Sequence, residues 1–185
     1  YLFLIFPLAL DASAQLQGSG ALTGGIVQAI SHATAKAAMF MAAGLIYAAL
    51  GHDRIAELGG VARALPMTIF AFALGGVSLI GLPPSGGFLA KWILLEATVA
   101  TGQWWWALVI LAGGLFTSAY MFIVLSRAVA PSIEPLKLQT TVPKYQEAAA
   151  LALALTSLLL GLVALGPIDI VEIGVEVAGI KHETP

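Results

Sequence analysis

From Ala21 to Leu50 the chain is a long apolar stretch with one lysine, Lys36, and no arginine or carboxylate. Segments of this kind recur. Pro66–Thr101, Gln103–Arg127 and Gln146–Leu165 are also apolar, with only isolated charges. About 20 such residues cross a hydrocarbon core of about 30 Å, and in lipid only helices or closed barrels satisfy every backbone group. The composition agrees: 59% of residues are apolar and 10% charged, against about 45–50% and about 25% in an average soluble domain. The fold class that follows is an all-α integral membrane protein, a bundle of transmembrane helices. Residues 1–185 read as a single membrane domain. Small residues along 21–50, among them Gly24, Gly25, Ala29, Ala33, Ala37 and Gly44, let neighbouring helices approach closely in lipid.

The remaining segments connect these spans. Tyr1–Leu10 is apolar but too short to cross by itself. With Ala12-Ser13-Ala14 after it, this run imitates a signal peptide, but no basic region precedes it. Since the chain starts at Tyr1 rather than Met, the preferred expectation is a partial span, the end of a membrane helix in a longer protein. Asp11–Gly20 reads as a polar loop, Gly51–Leu65 as a polar connection, Ala128–Tyr145 as a proline-containing loop and Gly166–Pro185 as an acidic tail. Arg54, Arg63, Arg127, Lys137 and Lys144 all fall in or beside two of these loops. The positive-inside rule puts both loops in the cytoplasm or matrix. Trp104-Trp105-Trp106 suits an aromatic belt at the opposite interface.

Pro66–Thr101 is too long for one straight span. As a rod it would measure about 54 Å, and it contains Gly81-Leu82-Pro83-Pro84-Ser85-Gly86-Gly87. Two prolines remove two backbone donors and clash with the preceding turn, while the glycines allow backbone angles that other residues resist. The sequence predicts two half-helices, Pro66–Leu82 and Gly86–Thr101, with a break at Gly81–Gly87 marked by Gly81, Pro83, Pro84, Gly86 and Gly87. Broken backbone at membrane depth persists only where it faces protein or a watery cavity, and such breaks mark ion sites in many transporters.

The ionisable residues inside the spans are the candidates for chemistry. A lysine at the bilayer centre costs roughly 2.5–3.5 kcal/mol on insertion scales, so Lys36 and Lys91 are expected to face the bundle interior on an ion or proton path. His32 and Lys36 lie four positions apart, on one helix face, and together they form a candidate proton relay. The structural alternatives are that His32 only bonds a neighbouring helix and that the lysines snorkel to the headgroups. Ser31, Thr34, Glu96 and Tyr120 are candidates for a polar axis; Glu96 alternatively lies at the interface or faces a partner subunit. Thr117 and Ser118 could line water but more often such hydroxyls bond their own backbone. Asp11, Glu147 and Arg127, at span ends, read as solvated. The chain has no cysteine, which excludes disulfides and thiolate metal sites. It also lacks a metal-ligand cluster, a phosphate-binding glycine loop, a nucleophile–base signature and a basic patch for nucleic acid. No metal and no other cofactor are expected.

The segment Ser31-His32-Ala33-Thr34-Ala35-Lys36, running on to Ala42-Ala43-Gly44, resembles the His-x-x-x-Lys helix of the antiporter-like subunits of respiratory complex I, Mrp-type cation/proton antiporters and membrane-bound hydrogenases. Gly81-Leu82-Pro83-Pro84-Ser85-Gly86-Gly87-Phe88-Leu89-Ala90-Lys91-Trp92 is similar to the discontinuous helix of that family, with its lysine after the break. Leu58-Gly59-Gly60, with Arg63 to Pro66, resembles the connecting loop. The resemblance extends from about Ala21 to Ala130. It implies proton translocation by the C-terminal part of a non-redox subunit, in a complex I-like NADH:quinone oxidoreductase or a related antiporter complex. His32 and Lys36 would then belong to a central polar axis, and Lys91 would exchange protons with the far side. The family's first repeat, with its glutamate–lysine pair, would precede Tyr1. Implied partners are other membrane subunits, the lipid bilayer and protons, with sodium as a further candidate ion, in a multi-pass bacterial inner-membrane setting. Two other readings stay open: a passive membrane scaffold, and an unrelated secondary transporter.

Overall fold

The computed structural model describes Phe3, residues 18–132, Leu136 and residues 138–163. The Tyr1–Leu10 run, Asp11 and the acidic tail lie outside the described residues. Of the expected Asp11–Gly20 loop, only Gly18–Gly20 is described, and it is helical. Six helices follow in order: α1 (Gly18–Leu50), the short α2 (Val61–Ala64), α3 (Pro66–Ile80), α4 (Gly86–Ala100), α5 (Trp105–Val129) and α6 (Lys144–Val163). A single 3-10 turn, Ile55–Glu57, precedes α2. Among the described residues there is no strand. Ala21–Leu50, Trp105–Val129 and Lys144–Val163 are long and apolar enough to cross a membrane.

The expected discontinuity is present. α3 ends at Ile80, and Gly81 caps it at φ 82°, a left-handed angle that glycine adopts without penalty. Leu82–Ser85 then turns, and α4 begins at Gly86. The break is therefore shorter than the Gly81–Gly87 motif: Gly86 and Gly87 already form the first turn of α4, and Leu82 lies outside α3. Ser85 caps α4, its Oγ accepting from Phe88 N at 3.2 Å while donating to Leu82 O at 2.7 Å.

Partner residues fix the directions of the helices. Gly24 of α1 meets Ile93 and Leu94 of α4, and Ser31 meets Gly86, so the two run antiparallel. α6 runs parallel to α3 in constant register: Glu147 bonds Thr68 and Ser157 bonds Ser78, each pair 79 positions apart. α1, α3, α4 and α6 pack together through alanine and glycine, including Ala35, Ala38, Ala71, Gly75, Ala150 and Ala154, all buried. Helix association in lipid depends on such close approach, since lipid tails are as apolar as the core. α5 packs more loosely against α3 and α4, burying only Ile110, Met121 and Ala128. Leu108, Leu111, Leu115, Phe116 and Phe122 face outward, as a lipid-exposed helix allows.

The two basic loops meet at one end of the bundle, as their shared assignment to one side requires. Gly60 N donates to Ala130 O at 2.8 Å, and Gln139 N donates to Ala49 O at 2.7 Å. There Glu57 accepts from Arg54 Nη1 at 2.9 Å on the open surface, and this bond holds the Glu57 carboxyl below its ordinary range.

Candidate functional site

Every helix end leaves backbone carbonyls without a helical partner, and at the buried end of α3 three of them, those of Val77, Leu79 and Ile80, have donors from beyond the helix. Val77 O accepts from Gly81 N and Leu82 N, both at 3.1 Å. Leu79 O and Ile80 O accept from Lys91 Nζ, at 3.1 and 2.5 Å. Lys91 is 7% exposed. Its side chain leans back toward the start of α4, as helical side chains do, and lies across Gly81, where a Cβ would meet its Cδ at 2.7 Å. A Cβ on Gly114 of α5 would stand 3.5 Å from Nζ. The ammonium therefore rests on the negative end of a half-helix, where a cation is stabilised by roughly 0.3–1 kcal/mol, and by up to about 2 when partly buried. Nζ points back toward the break, away from Thr101, which lies about 15 Å further along the helix axis.

One residue before those carbonyls lies a second polar cluster. Ser78 Oγ is 3.0 Å from Ser31 Oγ and 2.6 Å from Ser157 Oγ. Ser157 Oγ lies 3.4 Å from Ser31 Oγ and also donates to Ser31 O at 3.1 Å. All three serines are buried, so α1, α3 and α6 meet at a knot of hydroxyls. Gln28, one turn before Ser31, is 6% exposed, and its Oε1 accepts no hydrogen bond among the described residues. An acceptor of that kind favours a bound water. Only glycine fits at position 87, because a Cβ there would collide with the Ser78 carbonyl oxygen.

The other candidates are distributed differently. His32 and Lys36 share one face of α1, and the described helices leave that face open: His32 is exposed and Lys36 half-buried, its Nζ 5.5 Å from the Phe40 ring centroid. Thr34 donates to Ile30 O and Ser31 O, both at 3.0 Å, so its hydroxyl is spent on its own helix. Thr117 and Ser118 do the same with Gly113 O and Leu115 O. Glu96 is exposed and accepts from Trp92 Nε1 at 2.9 Å. Tyr120 is exposed. Ser31 is the one polar-axis candidate that enters the buried cluster.

Ser78, Ser157 and Gln28 were missed by the sequence reading, and Glu147 was misplaced by it. Far from being solvated, Glu147 is fully buried, bonded to Thr68 and Lys144. Its signal was present: Ala150, Ala154, Ser157 and Gly161 follow at helical spacing as a small-residue stripe, and Glu147 begins it. If the serine cluster holds the helices together, Ser78→Ala or Ser157→Ala will lower stability by about 0.6 kcal/mol, and at most by about 1.7, as interhelical hydroxyl bonds do in membranes. Reversible unfolding in mixed micelles measures this.

A bundle of apolar helices, three of them long and apolar enough to cross a membrane, with a break between α3 and α4, is the architecture of a polytopic membrane protein. Residues 9–117 match the family described as NADH:quinone oxidoreductase/Mrp antiporter, TM, and the chain belongs to that family. It is 35% identical over 108 residues to NADH-quinone oxidoreductase subunit N of Desulforudis audaxviator (strain MP104C), covering 58% of this chain and 22% of that protein. F(420)H(2) dehydrogenase subunit M of Methanosarcina mazei is 39% identical over 77 residues, 42% of this chain and 16% of its own length. The chain thus spans about a fifth or less of these curated relatives. Its fold superposes on a chain of the Mrp complex from Dietzia sp. DQ12-45-1b with a TM-score of 0.72 and 26% identity, over 80% of this chain and 36% of that one.

Proposed function

We propose that this chain forms a single membrane unit that carries protons within a larger energy-converting complex, with Lys91 as the residue that takes up and releases them. The observation that carries the reading is the Lys91 ammonium, buried at a helix break and held by two carbonyls that the break itself frees. His32 and Lys36 serve as the relay on the open face of α1, a face that an adjoining protein segment covers in the assembly, because ionisable groups at membrane depth turn away from lipid. Ser31 lies on the same turn as His32, and Ser78 immediately precedes the carbonyls that hold Lys91. The serine cluster, with Gln28 and bound water, thereby offers hydrogen-bonding groups between the two lysines. Family membership supports neighbouring membrane subunits as partners and protons as the ion carried, with sodium exchange as the variant that an Mrp-type assembly would add.

The test uses the complete complex in inside-out vesicles. Lys36→Ala is expected to assemble normally and to lose most proton uptake, independent of any added solute. Lost assembly would favour a scaffold, and uptake that requires a particular solute would favour a secondary transporter.

A further inference from the structure

A buried carboxylate that the proposed path does not use sits at the far end of α3. Glu147, in the first turn of α6, is 0% exposed. Its Oε2 accepts from Thr68 N at 3.2 Å and Thr68 Oγ1 at 2.9 Å, and its Oε1 accepts from Lys144 Nζ at 2.8 Å. Thr68 is the third residue of α3, and Leu65 at the cap position contributes no side-chain bond. The N-terminus of the half-helix is therefore capped by a neighbouring helix, with a negative charge at its positive end. At the other end the Lys91 ammonium lies on its negative end. α3 is clamped between opposite charges supplied by α6 and α4. Glu147 lies beyond the residues that match the family.

We propose that Glu147 is a positioning residue: it locks the start of α3 to α6, so that the Leu79 and Ile80 carbonyls stay fixed while the Lys91 side chain gains and loses its proton. Movement is then confined to the Gly81–Ser85 turn. The proposal rests on the reading of Lys91 as the proton carrier. Holding, rather than conducting, fits the seam between the two ends. From Ile69 to Val77 α3 has no polar side chain, and from Ala148 to Leu155 α6 has none, so no hydroxyl or carboxylate on either helix links Glu147 to the serine cluster. The fixed register of α6 on α3 carries the lock along the whole half-helix.

Glu147→Ala removes the cap and the charge, whereas Glu147→Gln keeps an oxygen acceptor for Thr68 and removes the charge together with the oxygen that accepts from Lys144. In the complete complex, Glu147→Ala is expected to assemble, to slow proton uptake by about tenfold or more, as misplacement of a reacting group does, and to speed hydrogen exchange at the Met67–Ile69 amides. Glu147→Gln is expected to restore most of the rate and the exchange protection. Normal uptake and protection in Glu147→Ala would overturn the proposal. So would a Gln variant as slow as the Ala variant, since Glu147 would then carry protons itself. Should Glu147→Ala fail to assemble, Thr68→Val, which removes only the hydroxyl bond, is expected to give an intermediate rate, and an unchanged rate would count against the lock. Lys91→Met assayed alongside separates the two claims: normal uptake there sinks the Lys91 reading, while the exchange measurement still judges the lock.

Discussion

Lys91→Met is expected to leave the complex assembled and to reduce its proton uptake to background. Methionine keeps the unbranched stem that lies across Gly81 and removes only the ammonium. The loss exposes two competing costs. Leu79 O and Ile80 O lose their donor, at about 1–3 kcal/mol for each acceptor left unsatisfied. Against this, the membrane no longer has to accommodate a buried lysine, which costs roughly 2.5–3.5 kcal/mol. The terms largely offset, so the fold survives while the proton-binding group is gone. Lys91→Arg sharpens the result. Arginine keeps the positive charge and the donors but does not give up its proton at any working pH. A scaffold that needs only a cation at the end of α3 would accept arginine; a proton carrier would not. Arginine is therefore expected to assemble and to be as inactive as methionine, measured as acidification of inside-out vesicles beside native-gel assembly.

Gly87→Val is expected to have the largest effect on the structure. A Cβ at position 87 runs into the backbone carbonyl of Ser78, and a backbone atom cannot rotate aside. α3 and α4 would have to separate, which would pull the Leu79 and Ile80 carbonyls away from Lys91 and strain the serine cluster. Overpacking costs typically about 1–3 kcal/mol, occasionally more, and a branched side chain against two fixed helices belongs at the upper end. Gly44→Ala is the control, since a Cβ at position 44 meets nothing within 4 Å. The yield of assembled complex and its thermal unfolding should fall sharply for the first variant and stay unchanged for the second.

The break and Lys91 were legible in the sequence because their causes are local. Two prolines flanked by glycines end a helix wherever they occur, and a lysine inside an apolar span is expected to turn toward protein rather than lipid. The serine cluster was not legible. Hydroxyls in apolar helices usually bond their own backbone, as Thr34, Thr117 and Ser118 do. That Ser31, Ser78 and Ser157 instead face one another depends on the register of three helices, which no single helix encodes. Glu147 was misread for a related reason. Its position at a span end suggests solvent, but the small residues that follow it on α6 turn its face into the seam. Tyr120 and Glu96 carry suitable chemistry on the outward faces of their helices, and a helix without a clear amphipathic stripe does not reveal which face that is.

The central claim is that Lys91 changes its protonation state as protons cross. Nitrogen-15 NMR of the lysine-labelled complex in lipid, with the Lys91 signal identified by its absence from Lys91→Met, reads that state directly. The account predicts that the Lys91 Nζ resonance moves between its ammonium and amine positions when the complex is driven. A resonance fixed at the ammonium position throughout, in a complex that is moving protons, would contradict it.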